Sequence, residues 1–304
     1  MSLQIQPRDT EIIRYVRRYR LLRSRSHILP LFGGSQYLLR RLKQLYDHKF
    51  LYRLPGRRPH EEAVYAVGNA GADLLNRQFG TPRPSVDYTQ QNQGLGARFI
   101  EHTLLVADIM VTIELACRGR DDVRFISQQQ FLKERAPKTT REKFWTVGGH
   151  PLRWRVSFEY EGNRYRKSIE PDQMFGIRAE DREEPNWFFL EADRQTMPVK
   201  SRNMNRSSIF KKQLQYFASW DKDSGRNRLD EEFGIANARI LFVLDTGYEG
   251  DKRLQRCLEV SKHFYDGDGT GLFLFVNAKT LSECEDVLTA PLVSGRGAQK
   301  TLLG

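Results

Sequence analysis

The sequence predicts an α/β protein in two parts: a small, mainly helical head and a larger α/β sandwich around a mixed sheet. Three observations carry that expectation. First, positive charge is concentrated at one end. Residues 1–60 hold fourteen Arg and Lys against three acids (Asp9, Glu11, Asp47), a surplus equal to the whole net charge of +11. Second, apolar spacing is helical through most of the first eighty residues, interrupted by one hairpin, then gives way to a long helix, alternating segments and two short apolar runs. Third, the run Trp187-Phe-Phe-Leu-Glu-Ala-Asp193 ends in two carboxylates two residues apart. On a strand these share one face.

At 304 residues there is core enough for one large or two ordinary domains. With 39% apolar and 29% charged residues, a soluble globular chain is expected rather than a disordered or membrane one. No apolar stretch approaches the ~20 residues of a membrane span, and the N-terminus lacks the apolar core of a secretory signal. Cys117, Cys257 and Cys284 are odd in number and lack metal-ligand spacing, so reduced thiols in the cytoplasm are expected. Twelve of the fourteen N-terminal cations are Arg, a side chain suited to phosphate and guanine contacts. A polyanion partner follows from that concentration, and together with the helix order of the same residues it points to double-stranded DNA.

In order, Asp9 or Thr10 is expected to cap a helix through about Arg20, with Ile12, Ile13, Val16 and Tyr19 inward. A short helix from Ser24 or Ser26 to Leu31 stops at Gly33-Gly34. Ser35 caps a third helix from Gln36 to about Lys49, with Leu38, Leu39, Leu42, Leu45 and Tyr46 inward. Gln36, Arg40, Arg41 and Lys43 are left toward its exposed side. Two extended arms, residues 50–54 and 63–67, flank a turn bearing Arg57 and Arg58. Three helices followed by a basic hairpin is the order of a winged helix-turn-helix, whose third helix enters the major groove. A closing helix over 68–79 completes a domain of residues 1–80. The Pro- and Gln-rich stretch 81–96 is expected to be a linker, with the second domain at 97–304.

That second domain opens on a buried helix from Gly96 to about Arg118 that contains Glu101, His102 and Asp108. A strand is expected over 123–131, then a basic loop over 133–143. A hairpin turns at Glu161-Gly162-Asn163. Pro171-Asp172 precedes an irregular acidic segment and the strand ending in Glu191 and Asp193. A helix from Ser207 or Ser208 to Trp220 puts Lys212 and Tyr216 on one face. Strand, helix and strand follow at 239–245, 254–264 and 272–276.

Pro171-Asp172 and Glu191-Ala192-Asp193, on successive sheet segments, resemble the PD-(D/E)xK nuclease superfamily, with Asp193 where that pattern has lysine. The resemblance implies that Asp172, Glu191, Asp193 and Lys212 form the catalytic set, with Lys211 next best placed to replace the missing lysine. It also implies that Asp172 and Glu191, joined by Glu101, would hold Mg²⁺ or Mn²⁺. A second resemblance covers most of the chain. The basic head, Phe99-Ile-Glu-His-Thr-Leu-Leu-Val-Ala-Asp108, Pro171-Asp172, Phe189-Leu-Glu-Ala-Asp-Arg194 and Lys212-Gln-Leu-Gln-Tyr216 are similar to the replication-relaxation family. It implies a winged-helix domain fused to a nuclease-like domain, acting in plasmid replication, relaxation or mobilisation.

Three functions follow as expectations. One is a metal-dependent endodeoxyribonuclease, with DNA held by Gln36, Arg40, Arg41, Lys43, Arg57 and Arg58. Another is a non-cleaving accessory that binds DNA and recruits a relaxase, replication initiator or other mobile-element protein. In that case the acids are structural, with Glu191 or Asp193 paired to an arginine such as Arg194. The third is a transcriptional regulator.

Overall fold

The computed structural model describes residues 3–56, 61–220, 228–235, 237–245 and 251–304. The chain divides into two compact units. One comprises residues 1–111 with 145–149, and the other residues 112–144 with 150–304. The division falls inside the long helix rather than in the expected linker at 81–96.

The first unit opens with α1 (Pro7–Tyr19), which buries Ile12, Ile13, Val16 and Tyr19 at helical spacing. Asp9 lies inside this helix rather than capping it. Its carboxylate accepts the Gln6 N–H at 2.8 Å, which satisfies one of the orphan amides ahead of the first turn. Strand β1 (Leu22–Arg23) comes next. A π-turn at Ser24–Ile28 then runs into the one-turn α2 (Leu29–Phe32). Helix α3 (Gln36–Asp47) buries Leu38, Leu42 and Leu45, whereas Tyr46, expected inward, is 41% exposed. Strands β2 (Leu51–Arg53) and β3 (Val64–Val67) form an antiparallel hairpin, with Leu51 opposite Val67. β1 pairs on the other side of β3, giving the order β1-β3-β2. Helix α4 (Asn69–Phe79) then closes over the hairpin stem. Gly71 permits this close approach, because a Cβ there would lie 2.2 Å from the Phe50 carbonyl oxygen.

The stretch expected as linker contains a helix, α5 (Tyr88–Gln93). Asp87 caps it by accepting the Thr89 N–H at 2.7 Å. Helix α6 (Ala97–Arg118) follows, as expected, and spans both units.

The second unit is built on a seven-stranded mixed sheet. Its strands are β4 (Val123–Ser127), β7 (Gln173–Ala179), β8 (Asn186–Asp193), β9 (Ala238–Leu244), β10 (Phe273–Asn277), β11 (Leu292–Ser294) and β12 (Gln299–Lys300). The order is β12-β11-β10-β9-β8-β7-β4. The β8–β9 and β9–β10 pairs are parallel, and the β7–β8 pair is antiparallel. The parallel connections pass through α9 (Ile209–Trp220) with α10 (Arg228–Phe233), and through α11 (Asp251–Ser261). A separate hairpin, β5 (Trp154–Tyr160) and β6 (Asn163–Ile169), turns where expected. Glu161 and Gly162 both have positive φ (49° and 72°), the signature of a two-residue turn matched to strand twist. Its inner residues Trp154, Val156 and Phe158 join Phe189, Phe210, Tyr216, Phe233 and Phe242 in one core. Trp154 Nε1 donates to Ser219 Oγ at 2.9 Å, tying the hairpin to α9.

Three expectations are corrected. Strand β4 ends at Ser127, which starts α7 (Gln128–Glu134) through a reciprocal box with Gln130. The basic segment after it is largely helical, with α8 spanning Lys138–Trp145. The first half of the irregular acidic segment is β7, a sheet strand between β4 and β8.

Candidate functional site

Strand alternation presents Glu191 and Asp193 on one face of β8, the side covered by α9 and α11. Both are almost fully buried, at 2% and 3% exposure. Carboxylates at that depth need partners. Glu191 Oε1 accepts the Tyr216 hydroxyl at 2.6 Å, and Oε2 accepts Lys212 Nζ. Lys212 and Tyr216 stand one helical turn apart on α9, so a single helix face serves both oxygens. Asp172 reaches the same place from the start of β7. Its backbone N–H bonds Leu190 O at 3.0 Å, and its Oδ2 accepts the Ala192 N–H at 2.8 Å. Asp172, Glu191 and Lys212 are therefore gathered at the edge between β7, β8 and α9.

Asp193 has a different partner. Arg253 Nε, from α11, donates to Oδ2 at 2.6 Å, and a second guanidinium nitrogen donates to the Met197 carbonyl at 2.7 Å. Arg253 is itself 5% exposed, so this ion pair is buried at both ends. The arginine partner expected for these acids is, for Asp193, Arg253. The other Asp193 oxygen, Oδ1, is buried and has no hydrogen-bond partner among the described residues.

The electrostatics follow from depth and neighbours. Burial pushes the Glu191 carboxyl above its usual range; Lys212 opposes this and Asp172 adds to it. Burial likewise raises Asp193 against the pull of Arg253. Burial and the Glu191 charge hold the Tyr216 phenol well above its ordinary value, so it stays a donor. Burial works against the Lys212 charge, but Glu191 and Asp172 outweigh it and hold the ammonium above the ordinary lysine value of 10.5. A group raised on folding contributes stability that is complete below its unfolded value and is lost as pH rises through its folded one. Urea midpoints should therefore fall across the range above 10.5, and the fall should be shallower in Lys212→Met. An equally steep fall in that variant would remove Lys212 from the account.

The oxygen donors have the right chemistry for Mg²⁺ or Mn²⁺. Their engagement does not fit such an ion. Both Glu191 oxygens, Oδ2 of Asp172 and Oδ2 of Asp193 already accept internal donors, and two of those donors are cations. Among the described residues no group of three or more His, Cys, Asp or Glu side chains is disposed to hold a metal. Glu101 belongs to α6 in the first unit, and Lys211 points to the Arg206 carbonyl rather than to the acids.

In the first unit, α3 has two distinct faces. Its leucines are buried, while Gln36, Arg40 and Lys43 are exposed. The Lys43 side chain is 73% exposed and donates to Asp47 at 2.6 Å. Arg41 is different. Its guanidinium grips the buried Asp9 of α1, with Nε at 2.9 Å from Oδ1, and also donates to Gln44 Oε1 and the Gln4 carbonyl. It is a clasp between α1 and α3 rather than a groove-facing side chain. Arg57 and Arg58 lie outside the described residues.

Sequence reading passed over a second polar cluster in this unit. The Arg23 N–H donates to His27 Nδ1 at 3.0 Å, leaving Nε2 as the donor to Asp108 at 2.7 Å. Arg23 also donates to Asp108, and Glu62 accepts the Arg25 and Ser26 N–H groups at 2.8 and 2.9 Å. These bonds fix the π-turn that leads into α2.

The chain belongs to the replication-relaxation family, whose pattern matches residues 14–224. That span takes in the head from Arg14 onward, α6, Asp172 with β7, β8 with Glu191, and all of α9. Membership points to a role in replication or relaxation of plasmids and mobile elements. Neither the curated proteins nor the solved structures give a match. No helix among the described residues is long and apolar enough to cross a membrane.

Proposed function

We propose that this chain is a DNA-binding accessory of plasmid or mobile-element replication and relaxation. Its first unit is read as a winged helix that holds duplex DNA. Its second unit is read as a nuclease-like fold that serves as a platform for a relaxase or replication initiator. One observation carries the DNA reading: α3 is buried along Leu38, Leu42 and Leu45 and presents Gln36, Arg40 and Lys43 outward. With strands β2 and β3 behind it, this is the order in which a recognition helix precedes a wing. Arg40 and Lys43 would neutralise phosphates and Gln36 would reach base edges. Replacing both Arg40 and Lys43 by Ala should flatten the salt dependence of duplex affinity by about two in log–log slope. Fluorescence anisotropy across salt concentrations measures this, and an unchanged slope refutes the assignment of α3.

A platform role is favoured over strand cleavage because Glu191 is locked between Lys212 and Tyr216 and Asp193 against Arg253. Acids neutralised by side chains of their own fold are structural parts, and folds outlast their chemistry. Cleavage remains the second reading, favoured by the meeting of Asp172, Glu191 and Lys212 at one sheet edge. Supercoiled plasmid incubated with Mg²⁺ or Mn²⁺ separates the two. Persistent supercoils fit the platform. Nicking that disappears in Asp172→Ala would overturn it.

A further inference from the structure

We infer that the second unit carries its own contact surface for the phosphodiester backbone of DNA, formed by β6 and the segment leading into α9. The idea that the partner is DNA rests on the reading above; the surface itself does not. No acid occurs between Asp193 and Asp221, while Arg194, Lys200, Arg202, Arg206, Lys211 and Lys212 do. Overall neutrality of residues 61–304 hides this local excess. The fold draws it together with Lys167 of the basic strand Arg164-Tyr-Arg-Lys167.

Lys167 Nζ donates to Asn205 Oδ1 at 2.9 Å, which docks the segment on β6. Lys211 Nζ turns to the Arg206 carbonyl at 3.5 Å. Burial, and then the charge of Lys167, push the Lys211 ammonium below its ordinary value, as expected where like charges are close and no acid relieves them. Lys200 Nζ sits 5.0 Å from the centre of the Phe210 ring. Lys200, Arg202 and Arg206 are exposed, whereas Arg164 and Arg166 lie on the other face of the hairpin, Arg164 opposite Glu159. Among the described residues, none of Lys167, Lys200, Arg202, Arg206 and Lys211 makes an ion pair with a carboxylate.

Several cations elsewhere in the molecule are spent internally. Arg41 goes to Asp9, Arg23 to Asp108, Arg120 to Asp122 and Asp286, and Arg253 to Asp193. A cluster left without counter-charge repels itself, and a ligand bearing closely spaced negative charges relieves that repulsion. The first turn of α9 does not supply the attraction. The Ile209 and Phe210 N–H groups bond the Pro198 and Val199 carbonyls, and Lys211 N–H bonds Ser208 Oγ. Side-chain charge at several points along one edge fits a chain of phosphates better than a single anion.

The test uses the full chain with fluorescein-labelled duplex and, in parallel, a single strand of the same sequence. The triple variant Arg202→Gln/Arg206→Gln/Lys211→Gln changes surface cations that have no acidic partner, and it should melt like the parent. Its affinity should fall about tenfold near 0.1 M salt, with a log–log salt slope shallower by two to three. Arg202→Lys/Arg206→Lys should restore most of the loss. Loss for either DNA form supports the surface. Parental affinity and slope with both forms overturn it, including the case where an acidic protein is what binds there. Loss in the triple variant but not in the α3 variant would sink the α3 assignment and leave this surface standing. The reverse pattern would sink this surface alone.

Discussion

Arg41→Leu is expected to destabilise the first unit by about 3–5 kcal/mol, the cost of stranding a buried charge. The carboxylate left behind is that of Asp9, whose side chain is 2% exposed and whose partner Arg41 is only 11% exposed. Asp9 would keep the Gln6 N–H as a donor but lose both guanidinium bonds. The neighbour Arg40 is the control. It is exposed, and its change to Ala should alter stability by no more than about 0.5 kcal/mol. Two adjacent arginines on one helix would thus separate, one setting stability and the other DNA affinity. Because the chain has two units, the readout must be local. Three of the four tryptophans, Trp154, Trp187 and Trp220, lie in the second unit, so whole-chain tryptophan fluorescence would report mainly that unit. Amide exchange in α1 and α3 would report it. Parental protection of α1 in Arg41→Leu would show that the clasp contributes nothing.

The Arg41 case shows what patterning can and cannot reach. Ser35 and the leucine spacing located α3, and helical phase put Arg40 and Lys43 outside. Phase also put Arg41 near the outside, because nothing local reveals that Asp9, 32 residues earlier, waits beneath it. The site divides in the same way. Two carboxylates two residues apart at the end of an apolar run had to share a face, and Lys212 with Tyr216 had to share another. Those are local geometries, and the fold joined them. Arg253 was invisible because it lies 60 residues from Asp193 on a helix with little else to mark it.

Strand β7 was obscured for a different reason. Gly176 and Arg178 interrupt its apolar pattern, and the acids at 180–184 make the region read as a loop. In the fold, Trp187 lies opposite Gly176, and its ring occupies the space a side chain there would take; a Cβ would come within 2.6 Å of it. The bulk missing from one strand is supplied by its neighbour, a compensation that no single-strand pattern can express. The start of α7 was readable. Ser127-Gln-Gln-Gln130 has the spacing of a capping box, and the apolar residues around it favoured a continuing strand instead.

Arg253→Leu should be the most damaging single change in the second unit, again about 3–5 kcal/mol, since both partners of the pair are buried. The damage comes from the acid left behind more than from the bond removed. Asp193 already has one buried oxygen without a hydrogen-bond partner among the described residues, and the variant would leave the other without its guanidinium as well. Two consequences follow that simple loss of packing would not give. Asp193→Leu in the same molecule should recover most of the stability, because the charge needing compensation is gone. The deficit should also depend on pH in a definite direction. Burial raises the folded Asp193 carboxyl above its ordinary 3.8 even with Arg253 present, and removing the guanidinium raises it further. A carboxyl raised on folding favours the native state while it is protonated, and that contribution is lost as pH climbs above the unfolded value. Urea denaturation followed by tryptophan fluorescence should therefore give a larger deficit near neutrality than near the unfolded aspartate value. A deficit of equal size at both, unrelieved by the second substitution, would mean that Arg253 acts only by filling space.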